Sequence, residues 1–100
     1  METPATHTID GKPVDGIEFF DVINPATASV FARAPDASRA QLDQAVEAAR
    51  RAFESWRAVP QPRRREILLG FAAAIRSNEE NLAPLLTREQ GKPLAALAPF

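Results

Sequence analysis

The chain has 100 residues, which is room for one small domain. It contains 12 Lys and Arg residues and 13 Asp and Glu residues, so the formal net charge is −1. This balance argues against a nucleic-acid partner, which normally requires a basic excess. Cysteine is absent and His7 is the single histidine, so these residues contain neither a thiol nucleophile nor a two-histidine metal site. With no export signal and no apolar run of about 18 residues, we expect a cytoplasmic protein without a membrane partner.

The apolar residues are numerous but small. They make up 45% of the chain, which is a globular composition, yet 19 of them are alanine. The larger apolar side chains that remain are few, and small domains are only marginally stable even with well-filled cores. The composition therefore indicates a chain that packs against something else.

Residues 6–34 predict two short β-hairpins. In the first, Asp10-Gly11 separates two β-type runs, and this pair suits a two-residue turn in which both positions have positive φ. Pro13 cannot donate to a neighbouring strand, so its strand should be an edge. In the second, the turn Asn24–Thr27 has Asn at its opening position and Pro25 to fix φ. The four predicted strands are residues 6–9, 12–14, 19–23 and 29–33.

From residue 38 the apolar residues follow the period of a helix. Ser38 and Gln41 form a capping-box pattern, which predicts the start of a first helix. Charged residues that include i,i+4 pairs occupy one side of it. The apolar residues share another face, which we expect to be buried in the core: Leu42, Ala45, Val46, Ala49, Phe53 and Trp56.

A second helix is predicted after Pro60, with Pro62 in its first turn. Its expected buried residues are Ile67, Leu68, Phe71, Ala72 and Ile75.

The start of a third helix has two possible positions. A start near Asn78 places Pro84 inside the helix, at a cost of roughly 3 kcal/mol. An N-cap at Asn81 places Pro84 in the first turn, where its missing N–H costs little, and we favour it. Gly91 predicts a left-handed cap at the end. The expected fold class is α+β, with two hairpins followed by three amphipathic helices within residues 38–91.

The residues alone show no catalytic apparatus and no cofactor-binding motif. Gly91-Lys92 lacks both the earlier glycine and the following Ser or Thr of a phosphate loop, and the four glycines form no dinucleotide fingerprint. The basic run Arg63–Arg65 is followed at once by Glu66, so we expect a helix start that is either solvated or paired with an acidic partner surface. The carboxylate pairs Asp43–Glu47 and Glu79-Glu80 are predicted on solvated faces, whereas general acid–base catalysis needs one buried carboxylate.

Four segments nevertheless carry a resemblance. Residues 22–27, VINPAT, are followed by a strand, and residues 43–56 read DQAVEAARRAFESW. Residues 64–68 fit R-x-x-I-L, and residues 85–94 read LLTREQGKPL. In this order and spacing they resemble the start of NAD(P)-dependent aldehyde dehydrogenases, and the last segment is similar to the succinate-semialdehyde-like branch. The resemblance covers residues 9–96 and is lost after about residue 95, which marks residues 1–100 as an incomplete N-terminal portion of the domain.

The resemblance implies a function for the complete enzyme. In the family, a Cys attacks the aldehyde, hydride passes to NAD or NADP, and a Glu-activated water releases the carboxylic acid. Those groups are expected beyond this segment, so we assign no catalytic and no cofactor-binding residue here. The chain is expected to be inactive scaffold when alone, and to bind no NAD or NADP by itself.

One site is implied by the resemblance alone. Many family members hold a structural monovalent cation near the residues before Asn-Pro and the acidic residue before the Gly-Lys-Pro cap. The matching positions are Val22, Ile23 and Glu89, whose carbonyl and carboxylate oxygens suit a hard cation. The alternative is that Glu89 is an ordinary polar residue in the last turn of a helix. Ala28 departs from the family's usual glycine, so its turn requires either an αR geometry or strain.

Two hypotheses about partners remain open. In the first, the chain is part of an aldehyde-oxidising enzyme of a family that is usually homo-oligomeric, and its partner is the rest of the dehydrogenase domain. In the second, it is a non-catalytic helical interaction module that docks on a full-length paralogue. The sequence downstream of Phe100 would separate the two hypotheses.

Overall fold

The structure, a computed structural model, describes residues 5–96. Its strands are β1 His7–Ile9, β2 Lys12–Val14, β3 Glu18–Asn24 and β4 Ser29–Asp36. Its helices are α1 Arg39–Trp56, α2 Gln61–Ser77, α3 Glu79–Gln90 and a short 3₁₀ helix at Leu94–Ala96. Strand β1 pairs with β2, and β3 pairs with β4. The predicted α+β order of two hairpins and three helices is therefore confirmed.

The chain divides into two compact units. The first contains the residues up to Val22 together with Val30–Ala58, and the second contains Ile23–Ser29 and the residues from Val59 onward. The tip of the second hairpin thus belongs to the unit that contains α2 and α3. None of the helices within residues 5–96 is long and apolar enough to cross a bilayer.

The first hairpin has the predicted two-residue turn. Asp10 and Gly11 have φ of 55° and 71°, so both central positions are left-handed. The strands are antiparallel, with Ile9 opposite Lys12 and Thr8 opposite Pro13. Because hydrogen-bonded and non-hydrogen-bonded pairs alternate in such a ladder, Pro13 falls where no cross-strand N–H is needed.

The second hairpin is longer than predicted. Strand β4 continues to Asp36, and Pro35 is tolerated there because β4 is an edge strand of a two-stranded sheet. The Arg33 guanidinium lies 5.2 Å from the centre of the Phe19 ring. Gly16 precedes β3 at a close approach, since a Cβ there would lie 2.7 Å from Cβ of Pro35. The lack of a side chain at Gly16 therefore permits this packing.

Helix α1 begins with the predicted capping box. The Gln41 backbone N–H donates to Oγ of Ser38 at 3.1 Å, and the Ser38 N–H donates to Oε1 of Gln41 at 3.1 Å. Nε2 of Gln41 also donates to the backbone carbonyl of Asp15 at 3.1 Å. This long-range hydrogen bond joins the start of α1 to the segment after β2. The sequence pattern predicted the cap but not this second function of Gln41.

The face of α1 that is buried differs from the predicted one. Gln41 and Ala48 are its buried residues, and Ala45 is half-buried. The large apolar side chains expected in the core are exposed instead: Leu42, Val46, Phe53 and Trp56. Because successive residues are about 100° apart around a helix, the side that contains Gln41 and Ala48 is distinct from the side that contains Leu42. The core prediction is therefore wrong for these four side chains within the described residues, since α1 packs through Gln41, Ala45 and Ala48.

Helix α2 has little buried surface. It follows Pro60 and has Pro62 in its first turn, as predicted, without a side-chain cap. Ile67 and Ala72 are half-buried, but the other residues expected in its buried face are exposed: Leu68, Phe71 and Ile75. Its amphipathic pattern thus marks an apolar face that the described part of the chain covers only in part.

Helix α3 begins at Glu79, so the preferred start at Asn81 is wrong. The Asn78 N–H donates to the carbonyl of Ile75 at 3.1 Å, and its own carbonyl accepts from the Leu82 N–H at 2.9 Å. Because one residue ends α2 and begins α3, no linker remains in which Asn81 could be a cap. Pro84 consequently lies inside the helix. The carboxylates of Glu79 and Glu80 in the first turn favour this start, because they face the positive end of the helix dipole.

The end of α3 agrees with the prediction. Gly91 is left-handed, with φ of 80°, and its N–H donates to the carbonyl of Thr87 at 2.8 Å. After this cap the chain forms only the short 3₁₀ helix.

Candidate functional site

The turn between β3 and β4 is tightly hydrogen-bonded. The Asn24 side chain accepts from the Ala26 N–H at 2.9 Å, and the Asn24 carbonyl accepts from the Ala28 N–H at 2.8 Å. The hydroxyls of Thr27 and Ser29 lie 2.7 Å apart. Asn24 therefore organises the turn through both its side chain and its backbone, as its opening position predicted.

Ala28 adopts a left-handed backbone conformation, with φ of 55°. Sequence analysis offered either an αR geometry or backbone strain at Ala28, and the αR geometry is therefore wrong. The turn keeps a conformation that glycine adopts freely, and an alanine there carries strain of roughly 1–2 kcal/mol.

This turn packs against the end of α3 within the second unit. A Cβ placed on Gly91 would lie 3.0 Å from Cγ of Pro25. Gly91 thus meets two requirements, since its φ of 80° disfavours a side chain and its surroundings leave little room for one. The residues next to Pro25 and those next to Gly91 are brought together by this contact.

The three residues expected to hold a cation are divided between the units. Ile23 and Glu89 belong to the second unit, and Val22 belongs to the first. Ile23 and Glu89 are exposed, and Val22 is half-buried. Within residues 5–96 no cluster of three or more His, Asp or Glu side chains could hold a metal. A cation at this position would therefore depend on backbone carbonyls as well as on Glu89.

The carboxylate pairs show no arrangement for acid–base catalysis. Asp43 and Glu47 are exposed, and each has an arginine partner on α1, Arg39 at 3.2 Å and Arg51 at 3.9 Å. Their predicted solvated position is confirmed. In the other pair Glu80 is exposed and Glu79 is half-buried. The second pair is thus only partly solvated.

The positive charges at the start of α2 are partly balanced by an ion pair within the helix. NH1 of Arg63 lies 3.0 Å from Oε2 of Glu66. Arg64 is half-buried, and Arg65 is exposed. The exposed start that was predicted therefore holds for Arg63 and Arg65, and Glu66 balances one of their charges.

The comparisons with known proteins decide the family. Residues 13–98 match the model of the aldehyde dehydrogenase family. The chain belongs to this family. It is 45% identical over 89 residues to a malonate-semialdehyde dehydrogenase of Listeria monocytogenes serovar 1/2a, a match that covers 87% of this chain and 18% of the relative. It is 47% identical over 89 residues to a 3-sulfolactaldehyde dehydrogenase of Pseudomonas putida, with the same coverage of 87% and 18%.

Solved structures of the family share the fold. A crystal structure described as a methylmalonate-semialdehyde dehydrogenase of Sinorhizobium meliloti, complexed with NAD, matches with a TM-score of 0.87 and 36% identity. That match covers 96% of this chain and 20% of the other. Aldehyde dehydrogenase 21 of Physcomitrella patens, in complex with the reaction product succinate, matches with a TM-score of 0.82 and 34% identity over 95% of this chain and 20% of the other. The chain thus spans about a fifth of the length of these relatives.

Proposed function

We propose that this chain is the N-terminal scaffold of an NAD(P)-dependent enzyme that oxidises a short aldehyde carrying a second, anionic group. The family match over residues 13–98 carries the proposal. The relatives named above act on malonate semialdehyde or 3-sulfolactaldehyde, or hold succinate as product, and each of these compounds bears a carboxylate or sulfonate besides the reacting carbon. A succinate-semialdehyde preference is one form of this proposal, and the expected cytoplasmic location and homo-oligomer belong to it.

The absence of cysteine from these 100 residues fits a scaffold role. In the proposed reaction a thiolate forms a covalent adduct with the aldehyde, and none of these residues can supply one. NAD or NADP would accept the hydride in the complete enzyme. This segment would contribute folded structure on which the rest of the domain assembles, without touching the reacting atoms.

A chimera tests the proposal. The segment of the Listeria relative that matches this chain over 89 residues would be replaced by the chain itself. NADH formation would then be followed with malonate semialdehyde, succinate semialdehyde and the uncharged propionaldehyde. We expect the chimera to oxidise an anionic aldehyde. A soluble chimera without turnover would contradict the scaffold role. The anionic substrate class would be contradicted if the complete enzyme that contains this chain preferred propionaldehyde.

The alternative function, docking of this chain as a separate module on a full-length dehydrogenase, is favoured by the exposed apolar residues of its helices. The isolated chain would be mixed with the intact Listeria enzyme and analysed by size-exclusion chromatography. Co-elution would support a separate module, whereas independent elution combined with an active chimera would support a scaffold within one chain.

We also propose that Ile23 and Glu89 hold a monovalent cation in the complete enzyme, with Val22 as a further ligand expected from the resemblance alone. The packing of Pro25 against Gly91, each two residues from one of these ligands, supports it. In the chimera, replacing K⁺ by tetramethylammonium should lower the melting temperature, and Glu89→Gln should remove that difference. Equal sensitivity of both proteins would identify Glu89 as an ordinary carboxylate at a helix end.

A further inference from the structure

Two Asp-Gly pairs occur in the first unit, and the structure holds them in different ways. Asp10-Gly11 forms the turn between β1 and β2, and Asp15-Gly16 lies between β2 and β3. An aspartate followed by glycine is chemically labile, because the next backbone nitrogen can attack the side-chain carboxyl carbon and glycine has no Cβ to obstruct that approach. The two pairs share this chemistry, so a difference in their reactivity must come from their surroundings.

The Asp10-Gly11 pair is open to reaction. Both residues are exposed, and in the described part of the chain no atom lies within 4 Å of the place where a Cβ on Gly11 would stand. Ile9 and Lys12 pair across the turn, so the peptide group between Asp10 and Gly11 lies outside the paired strands. A flip of this peptide group converts the type I′ turn into type II′ and moves ψ of Asp10 to about −120°. At that angle the Gly11 nitrogen is eclipsed with Cβ of Asp10 and lies beside the carboxyl carbon.

The Asp15-Gly16 pair is held in place. The Asp15 carbonyl accepts a hydrogen bond from Nε2 of Gln41 at 3.1 Å, and the capping box of α1 fixes the Gln41 amide. Gly16 is half-buried, and a Cβ there would lie 2.7 Å from Cβ of Pro35. Rotation of this peptide group would turn the Asp15 carbonyl away from Gln41 and move backbone atoms within a closely packed region. The rotation that ring closure requires is therefore opposed at Asp15 and available at Asp10.

We propose that Asp10 is a site of spontaneous isoaspartate formation in the folded chain and that Asp15 is protected. The Gly11 nitrogen attacks Cγ of Asp10 and forms a C–N bond, while the carboxylic acid hydroxyl leaves with the amide proton as water. Water then opens this cyclic imide at either of its two C–N bonds. Breaking the bond to the original backbone carbonyl leaves the main chain running through the Asp10 side chain. The product has the mass of the starting chain, because one water leaves and one enters.

The modified turn has a longer main chain and a new α-carboxylate. A two-residue turn sets the pairing of Ile9 with Lys12, and one extra methylene in the main chain does not fit that geometry. Ile9 and Asp10 also line a cavity of about 500 Å³ whose other wall is α1, with Asp43 and Glu47. Isomerisation therefore loosens the first hairpin beside α1. It also creates the group that isoaspartate-specific carboxyl methyltransferases modify, which defines the class of enzyme that would act on this site.

The test follows both pairs in the 100-residue chain. The chain would be incubated at physiological temperature in native buffer and in guanidinium chloride, then digested with an endoproteinase that cleaves before aspartate but not before isoaspartate. In native buffer, cleavage before Asp10 should be lost roughly tenfold faster than cleavage before Asp15, because ring closure at Asp15 must first break a part-buried hydrogen bond. In guanidinium chloride the two rates should be similar. Methyl transfer from S-adenosylmethionine by an isoaspartate methyltransferase should rise in parallel, with no change in intact mass.

Two variants separate the causes. Asp10→Glu should remove most methyl incorporation in native buffer, because its longer side chain must close a larger ring. Gln41→Ala should raise the rate at Asp15 severalfold and leave the rate at Asp10 unchanged, with Gln44→Ala as the control. Lasting cleavage before Asp10, or equal loss before both aspartates in native buffer, would overturn the proposal, and so would an Asp15 rate that Gln41→Ala leaves unchanged. None of these measurements requires dehydrogenase activity, so the result is independent of the proposed function.

Discussion

The two units of this chain hold their helices in different ways. In the first, α1 is fixed by a buried polar residue, Gln41, which caps the helix and binds the carbonyl of Asp15. In the second, α2 has no buried residue and α3 has one, Ala83. The helices of the second unit are held at their ends instead, where Asn78 joins α2 to α3 and Gly91 packs against Pro25. A small segment can therefore specify its helices by polar and backbone contacts while its large apolar faces are still uncovered.

The largest expected effect concerns the close packing at Gly16 in the first unit. A Cβ at this position would lie 2.7 Å from Cβ of Pro35 and 2.9 Å from Cε1 of Phe19, so Gly16→Ala must displace one of them. We expect a loss of about 1–3 kcal/mol in the free energy of unfolding, as for other overpacked sites. Urea unfolding followed by circular dichroism would measure it.

The control for this substitution is Ile17→Ala, because Ile17 is 72% exposed and should change stability little. If Gly16→Ala were as stable as the wild type, the first unit would be loosely packed around Gly16. The two units would then not differ in how closely they are packed.

The second effect concerns Gln41. Gln41→Ala removes the capping acceptor and the donor to Asp15, and we expect a loss of about 1–2 kcal/mol in unfolding free energy. Gln41→Glu keeps the capping acceptor but places a carboxylate oxygen against the Asp15 carbonyl oxygen at a buried position, so it should also lower the unfolding free energy. Gln44→Ala, at an exposed position on the same helix, is the control. If Gln41→Ala were as stable in urea as Gln44→Ala, the hydrogen bonds of the Gln41 side chain would contribute nothing to the stability of the first unit.

The features that sequence analysis predicted correctly depend on side chains a few residues apart. The Asp10-Gly11 turn, the box formed by Ser38 and Gln41, and the cap at Gly91 each follow from local geometry and local hydrogen bonds. Their physical causes are contained within one turn of chain. The sequence was therefore sufficient to predict the two hairpins, the start of α1 and the end of α3.

The features that sequence analysis missed depend on distant parts of the chain. Periodicity identified the apolar side of α1 but not which side would be buried, because burial of Phe53 or Trp56 depends on what lies opposite. The start of α3 was missed because a helix that begins near Asn78 contains Pro84, and the cost of an internal proline was taken to exclude it. In the structure Pro84 does lie inside α3, and Asn78 both ends α2 and precedes α3. In the candidate cation site, the contact between Pro25 and Gly91 brings together segments that are far apart in sequence, and the ligand assignment stays a prediction.

The third prediction concerns the strained turn of the second unit. Ala28 has φ of 55°, so Ala28→Gly should relieve strain and raise the free energy of unfolding by about 1 kcal/mol. Ala26→Gly in the same turn is the control, because Ala26 does not have a positive φ. This substitution should lower the free energy of unfolding by a few tenths of a kcal/mol or more. Thermal or urea unfolding would compare them. A loss of stability on Ala28→Gly would mean that the Ala28 side chain makes contacts worth more than the strain.

The smallest expected effect is an increase in stability at Gly70, in the interior of α2. A Cβ at Gly70 meets no atom within 4 Å, and glycine is about 0.8–1 kcal/mol less favourable than alanine inside a helix. Gly70→Ala should therefore stabilise the isolated chain by slightly less than 1 kcal/mol in urea unfolding, whereas the same change at Gly16 should destabilise it. A loss at Gly70 in the isolated chain would contradict the open packing of α2. Both substitutions would also be made in the chimera. If Gly70→Ala stabilises the isolated chain but destabilises the chimera, the rest of the dehydrogenase must approach α2 closely at Gly70.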